Sequence, residues 1–345
     1  MPFSPPEDPS LARRARLTRW LGSVLALVLL GLVIYLGYVG YVGSEQLTGA
    51  PNPAKDCRTP ASLGWTYQAI NYDHKSDAAL LALGDTKLCP HQGVVAGSAL
   101  TASDGTRIAG WYIPAAARIG PTGPTVILSH GWRGNKSTML DYAVLLHPGY
   151  NLVLFDFRDS GQSSGTVTTQ GALEQHDLLA VINWLERTHH PARLGLLGVS
   201  MGGATSVNVA ASDERVNAVV LDSTQATLAG AVEARLKQQG YPLAVPGAWS
   251  ILLGGLIRTG QDMSAVDPQQ AIARIGARPV LIIEGGADTS IGSNDGARLL
   301  EAARTAGVNA QLQVCATATH AASLKTCGPA YRGWVLGFLE RSLGS

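Results

Sequence analysis

Charge is scarce in this chain and almost evenly split. Of 345 residues only 15% are Asp, Glu, Lys or Arg, and the formal net charge is +1. So small an imbalance, with no basic stripe interleaved with aromatics, gives no electrostatic case for a nucleic-acid partner. Signatures for metals and nucleotides are missing too. There is no His-Glu-x-x-His, no P-loop and no dinucleotide-binding glycine pattern after the first regular strand. Cysteine is limited to four residues, none in a Cys-x-x-Cys spacing, which disfavours zinc and a thioredoxin-type dithiol. No metal and no organic cofactor are therefore expected. Neither a repeat of about 20–50 residues nor a low-complexity tract beyond the Pro-rich start is apparent.

What the chain does have is one long uncharged run near its start. Arg13, Arg14, Arg16 and Arg19 precede a stretch from Trp20 to Val42 without a charge. At about 1.5 Å per residue that run is long enough for a hydrocarbon core of about 30 Å. Trp20, Tyr35, Tyr38 and Tyr41 include suitable interfacial anchors. The arginines on one flank and Glu45 on the other predict a cytoplasmic N-terminus and an extracytoplasmic remainder. A cleaved signal peptide is the rival reading, weakened by the length of the run and by the poor cleavage site at 38–44. The expected organisation is a cytoplasmic tail over 1–19, a transmembrane signal anchor over 20–42, an extracytoplasmic lead-in over 43–92 and one large domain over 93–345.

All four cysteines, Cys57, Cys89, Cys315 and Cys327, follow the membrane segment, where an oxidising compartment lets them bridge. Three connectivities are possible; proximity favours 57–89 and 315–327, and four free thiols are the alternative.

Beyond residue 93 short apolar runs alternate with helical patterns. Val94–Thr101 and Arg107–Ile113 flank Ser103-Asp104-Gly105, a hairpin signal that suits a sheet edge. Strands are expected at 125–128, 152–155, 194–197, 216–221, 280–283 and 310–314. Helices are expected near 137–146, 172–188, 297–306 and 334–343. Continuous apolar strands separated by helices imply a mainly parallel, doubly wound α/β sheet covered on both faces. Residues 223–277 interrupt this rhythm and read as a small helical cap.

Two pentapeptides have the form Gly-x-Ser-x-Gly. In Gly198-Val199-Ser200-Met201-Gly202 the serine follows an apolar strand and precedes a small-residue helix, the setting that lifts a hydroxyl clear of a sheet. In Gly161-Gln162-Ser163-Ser164-Gly165 the flanks are a polar turn and a β-branched run, which read as a loop. Context selects Ser200.

Reactive groups in such sheets gather beyond the carboxyl ends of the strands. There the chain presents Ser129-His130-Gly131-Trp132-Arg133-Gly134-Asn135, then Ser200, Asp222, Glu284-Gly285-Gly286-Ala287-Asp288 and Ala316-Thr317-Ala318-Thr319-His320. These motifs, with Asp156-Phe157-Arg158-Asp159-Ser160-Gly161-Gln162-Ser163-Ser164-Gly165 and Arg278-Pro279-Val280-Leu281-Ile282-Ile283-Glu284-Gly285, resemble the α/β-hydrolase superfamily from about residue 93 to the end. Thr59-Pro60-Ala61-Ser62-Leu63-Gly64 is similar to a lead-in of its membrane-tethered members.

The resemblance implies Ser200 as nucleophile, His320 as base and Asp288 as the carboxylate that orients it. It also implies an oxyanion hole from the backbone N–H groups of Met201 and Trp132. Asp222 is the rival carboxylate, since some members carry the acid after that earlier strand. His130 reads as structural, and Glu284 departs from a histidine common at its position. A 315–327 bridge would close a loop around His320. The expectation is a membrane-anchored serine hydrolase of carboxylic esters or thioesters, with a small-molecule or lipid-like substrate. A serine peptidase or aminopeptidase of the same fold is the alternative, and an inactive hydrolase-fold binding module is the minor one.

Overall fold

In the computed structural model residues 9–49, 56, 58–71, 100–292 and 294–344 are described. The strands are β1 (Gln68–Ile70), β2 (Gly110–Ile113), β3 (Thr125–Ser129), β4 (Asn151–Phe155), β5 (Leu194–Val199), β6 (Val216–Asp222), β7 (Val280–Gly285) and β8 (Ala310–Cys315). They form one eight-stranded sheet in the order β1-β2-β4-β3-β5-β6-β7-β8. β2 runs antiparallel to β1 and β4, and every pairing from β4 to β8 is parallel.

Strand alternation divides the core in two. Ile127, Val153, Leu196, Leu221 and Ile282 face one side, where they meet α3 (Glu174–Thr188), α4 (Met201–Ala210) and α8 (Asp295–Thr305). Leu128, Leu154, Leu197, Val220 and Ile283 face the other, against α2 (Leu140–Leu146) and α9 (Ser323–Leu343). Both faces are dry, which is why the strands read as continuous apolar runs rather than alternating ones.

Several elements differ from the sequence expectation, each for a local reason. The helix expected near 137–146 opens as a 3-10 turn over Lys136–Met139, because Asn135 caps the N–H of Thr138 with its side chain. The last helix starts at Ser323, well before 334; Gly328 (φ 9°, ψ −84°) and Pro329 bend it and hide its first turns from periodicity. The lead-in contributes a 3-10 turn at Pro60–Leu63 and the edge strand β1, too short to show a period. At the expected hairpin Gly105 N–H donates to Ala102 O and Thr101 pairs with Arg107, but the regular strand begins only at Gly110. Positions 94–99 of its first strand lie outside the described residues, as do Cys57 and Cys89.

The N-terminal run forms one helix, α1 (Pro9–Thr48), apolar and long enough to be a membrane span or a signal sequence. It continues past residue 42 to Thr48. Over 223–277 the chain builds α5 (Leu228–Gln238), α6 (Ala244–Thr259) and α7 (Pro268–Ile272). Leu228, Val232, Leu236, Ile251 and Leu252 there form a third apolar cluster, and Val39 of α1 belongs to it.

Candidate active site

β5 ends at Val199 and α4 begins at Met201, leaving Ser200 alone at the turn with φ 54° and ψ −119°. A non-glycine residue held there costs about 1–3 kcal/mol, so its surroundings must over-determine it. Ser200 N–H donates to Asp222 O at 2.8 Å, and Ser200 O accepts from Ala204 N–H at 3.0 Å. The glycines of the pentapeptide are steric necessities. A Cβ at Gly198 would strike the backbone of Gly202, and one at Gly202 would strike the carbonyl of Ser129. Ser163, in the second pentapeptide, is fully buried; its hydroxyl donates to Asp156 O and accepts from Ala109 N–H, fastening a loop.

His320 and Asp288 come from the loops after β8 and β7. His320 Nε2 lies 2.9 Å from Ser200 Oγ, and His320 Nδ1 lies 2.7 Å from Asp288 Oδ2. The other carboxylate oxygen of Asp288 accepts from Ser290 N–H at 2.8 Å. An Asp288 carboxylate requires the proton on Nδ1, leaving Nε2 as acceptor for the serine hydroxyl. Backbone bonds lock the two loops together: Gly286 N–H donates to Cys315 O, and Ala287 N–H donates to Ala318 O. This close approach explains the Gly285-Gly286 pair, whose added Cβ atoms would meet the carbonyls of Ala318 and Ala316. Cys315 and Cys327 are bridged, closing the segment that carries His320.

Asp222, the rival carboxylate, is engaged elsewhere. It is fully buried and accepts from Tyr331 OH at 2.9 Å, Ser223 Oγ at 3.0 Å and Tyr142 OH at 3.2 Å. Burial raises its pKa above the usual carboxylate range, against these hydroxyl bonds. Ser223 Oγ also accepts from Ala321 N–H at 3.0 Å, which ties Asp222 to the His320 loop by hydrogen bonds through Ser223. The two tyrosine hydroxyls on Asp222 were not legible in sequence, since Tyr142 and Tyr331 come from segments far from it in the chain.

The loop that carries Gly131 and Trp132 follows β3, which pairs with β5 at the point where strand order reverses, as crevice-forming switch points do. A Cβ at Gly131 would sit 3.3 Å from Ser200 Cβ and from Val199 O, a tight contact, so glycine eases the close approach of this loop. Gly131 O accepts from Gly134 N–H and lies 2.8 Å from His130 Nδ1. A trans peptide then directs the N–H of Trp132 the opposite way. Met201 is the first residue of α4, so its N–H has no acceptor within the helix. His130 Nε2 accepts from Phe157 N–H at 3.0 Å, and burial holds its pKa down, so the ring is a neutral fastener. Glu284 is buried on β7 and touches neither Ser200 nor His320 by hydrogen bond.

A cavity of about 290 Å³ borders Ser200, Met201, Trp132 and His320. Its walls include Leu228, Val232, Leu236 and Ile251 from the cap, and Val39, Val42 and Leu47 from α1. The described lining carries no Asp or Glu; its charged side chains are Arg133 and Arg235. Arg133 stacks on Trp132 at 4.3 Å, and Trp132 Nε1 is buried without an acceptor among the described residues. Among those residues no cluster of three or more His, Cys, Asp or Glu is placed to hold a metal ion.

Residues 124–265 match the model of a family described as the alpha/beta hydrolase fold. YfhR of Escherichia coli K12 is 36% identical over 154 residues, 41% of this chain and 52% of that protein. The chain thus spans about half the length of that curated relative. YqkD of Bacillus subtilis is 30% identical over 224 residues, 63% of this chain and 71% of that one. Among solved structures the Pyrococcus furiosus esterase Pf2001 matches with a TM-score of 0.66 and 22% identity, over 86% of this chain and 99% of that one. At that identity the likeness speaks to the fold.

Proposed function

The chain belongs to the α/β-hydrolase superfamily, and from that membership we propose that it is a membrane-anchored serine hydrolase of carboxylic esters. Ser200 is the nucleophile, His320 the general base and Asp288 the group that orients it. The reading rests above all on the unbroken line from Ser200 Oγ to His320 Nε2 at 2.9 Å and from His320 Nδ1 to Asp288 Oδ2 at 2.7 Å.

In this mechanism the neutral imidazole takes the hydroxyl proton as Ser200 Oγ bonds to the substrate carbonyl carbon. The carbonyl becomes an oxyanion, met by the N–H groups of Met201 and Trp132. One such donor is typically worth about 10²–10³ in rate. As the oxyanion collapses, the ester C–O bond breaks and the alkoxide leaves with the proton His320 holds. Water then attacks the acyl-enzyme by the same route in reverse, releasing the acid and free Ser200. The Asp288 carboxylate stabilises the imidazolium in both halves. A thioester passes through the same steps with a thiolate leaving group.

An aminopeptidase needs a carboxylate to hold the substrate's free amine, and the described cavity lining carries none. That observation favours ester over aminoacyl amide. A non-catalytic binding module would have no use for an aligned Ser-His-Asp line. The arginines at 13–19, the uncharged run that follows and the bridge between Cys315 and Cys327 favour a cytoplasmic N-terminus with the catalytic domain in an oxidising, extracytoplasmic compartment.

The test is to turn over nitrophenyl esters and aminoacyl nitroanilides with the full chain, using Ser200→Ala as control. We expect Ser200-dependent ester hydrolysis exceeding amide hydrolysis. Faster amide turnover would replace the esterase with a peptidase, and no Ser200-dependent turnover would favour the binding module.

A further inference from the structure

The cavity at Ser200 is walled on one side by the N-terminal helix. Tyr38, Val39, Val42, Gly43, Gln46 and Leu47 of α1 all line it, which spreads the contact over nine residue steps, or about 14 Å of helix. A helix that serves only as a tether has no reason to contribute there.

The α1–α6 contact is built, and its direction can be read. Tyr35 OH donates to Pro242 O at 2.7 Å, just before α6. Further along, a Cβ at Gly40 would lie 2.7 Å from Ser250 O, and one at Gly254 would lie 2.6 Å from Gly40 O. At the far end Arg258 donates to Ser44 Oγ and Tyr41 O, with its guanidinium over the Tyr41 ring. Low numbers meet low and high meet high, so the two helices run parallel. Glycine-mediated backbone approach of this kind is how helices associate within bilayers.

Span length then sets the depth of α6. Along α1 the described side chains stay exposed up to Ile34, and packing on the cap begins at Tyr35. The free apolar part, Trp20–Ile34, is about 22 Å long, short of a hydrocarbon core of about 30 Å. The shortfall of about 8 Å is made up by the next five or so residues. Those residues, 35–39, are the ones that lie beside the start of α6. The outer face of α6 suits that depth. Val245, Trp249, Leu253 and Ile257, at 51%, 55%, 57% and 77% exposure, form one stripe, with Leu243 exposed just ahead of it. No charged side chain occurs from Leu243 to Ile257; Arg258 is the first. An exposed apolar stripe that continues a candidate span marks a membrane-facing surface.

We propose that the start of α6, as far as Trp249, lies in the lipid beside α1, and that α1 is both span and pocket wall, so that the site draws the long acyl chain of a bilayer-borne ester from the lipid phase. This rests on the serine-hydrolase reading for the identity of the scissile bond; the membrane placement of α6 does not.

The test uses the full chain in phosphatidylcholine vesicles. Quenching of Trp249 by acyl-brominated lipids is read as the difference between wild type and Trp249→Phe. We expect a quenched Trp249 contribution. An unquenched one, whether Trp249 faces water or a second copy of the chain, overturns the placement. Val42→Phe, which narrows the wall, is expected to lower the kcat/KM ratio of hexadecanoyl to butyryl ester by about tenfold or more. Should that variant not fold, Val42→Ala is expected to shift preference towards bulkier acyl groups. A ratio indifferent to residue 42 overturns the wall. Fluorophosphonate labelling of wild-type Ser200 separates the two layers: its absence defeats the hydrolase reading, whereas labelling with an unquenched Trp249 defeats only this inference.

Discussion

Two buried carboxylates stand at adjacent strand ends, and their replacement should fail in opposite ways. Asp222→Ala leaves the hydroxyls of Tyr142, Ser223 and Tyr331 without their acceptor in a dry core. Each orphaned donor costs about 1–3 kcal/mol, so the fold should lose about 3–9 kcal/mol. That is a large share of a typical total of about 5–15 kcal/mol. Its effect on chemistry is indirect, through Ser223 and the N–H of Ala321. A displacement of that kind is worth about 10²-fold at most. Asp288→Asn has the reverse signature. It faces the site, and its loss leaves His320 free to take the wrong tautomer, at a cost of about 10⁴ in kcat with little change in stability. The assay is thermal unfolding of both variants beside ester turnover normalised to folded protein. An Asp222→Ala variant with an unchanged midpoint and turnover as low as that of Asp288→Asn would refute this assignment.

Other outcomes follow from the same contacts. Burial lowers the pKa of His130 in the fold, so below about pH 6.5 the unfolded chain binds a proton that the native state does not. Its contribution is complete above that pH and is lost as pH falls, by up to about 1.4 kcal/mol per pH unit. The thermal midpoint should drop on acidification, and His130→Asn should lower it at neutral pH while flattening the slope; an unchanged slope would be contrary. Paired replacement of Cys315 and Cys327 by serine reopens a short loop, at about 2–4 kcal/mol. Because that loop carries His320, turnover should fall with the thermal midpoint, and unchanged values of both would remove the bridge's role.

The middle of the sheet could be read from sequence because β3 to β7 are buried on both faces and announce themselves as apolar runs. Ser200 could be singled out because its pentapeptide follows an apolar strand and opens a small-residue helix, whereas the same pattern at Ser163 lies between a polar turn and a β-branched run. The choice between Asp222 and Asp288 could not be decided by spacing. It turns on Tyr142 and Tyr331, which meet Asp222 only after distant segments pack. Edge strand β1 escaped because three residues carry no period. The participation of α1 in the cavity was hidden for a different reason. A helix apolar all round gives the same pattern whether it faces lipid or protein, and only Tyr35, Gly40 and Ser44 mark the side that docks on α6.

The claim beneath all of this is that His320 activates the hydroxyl of Ser200. A fluorophosphonate reacted with the full chain, followed by peptide mass mapping, tests it most directly. The account predicts one phosphonylated residue, Ser200, with labelling slowed by orders of magnitude in His320→Ala. Adduct on Ser163 or another residue, or labelling of Ser200 at an undiminished rate in His320→Ala, would contradict it.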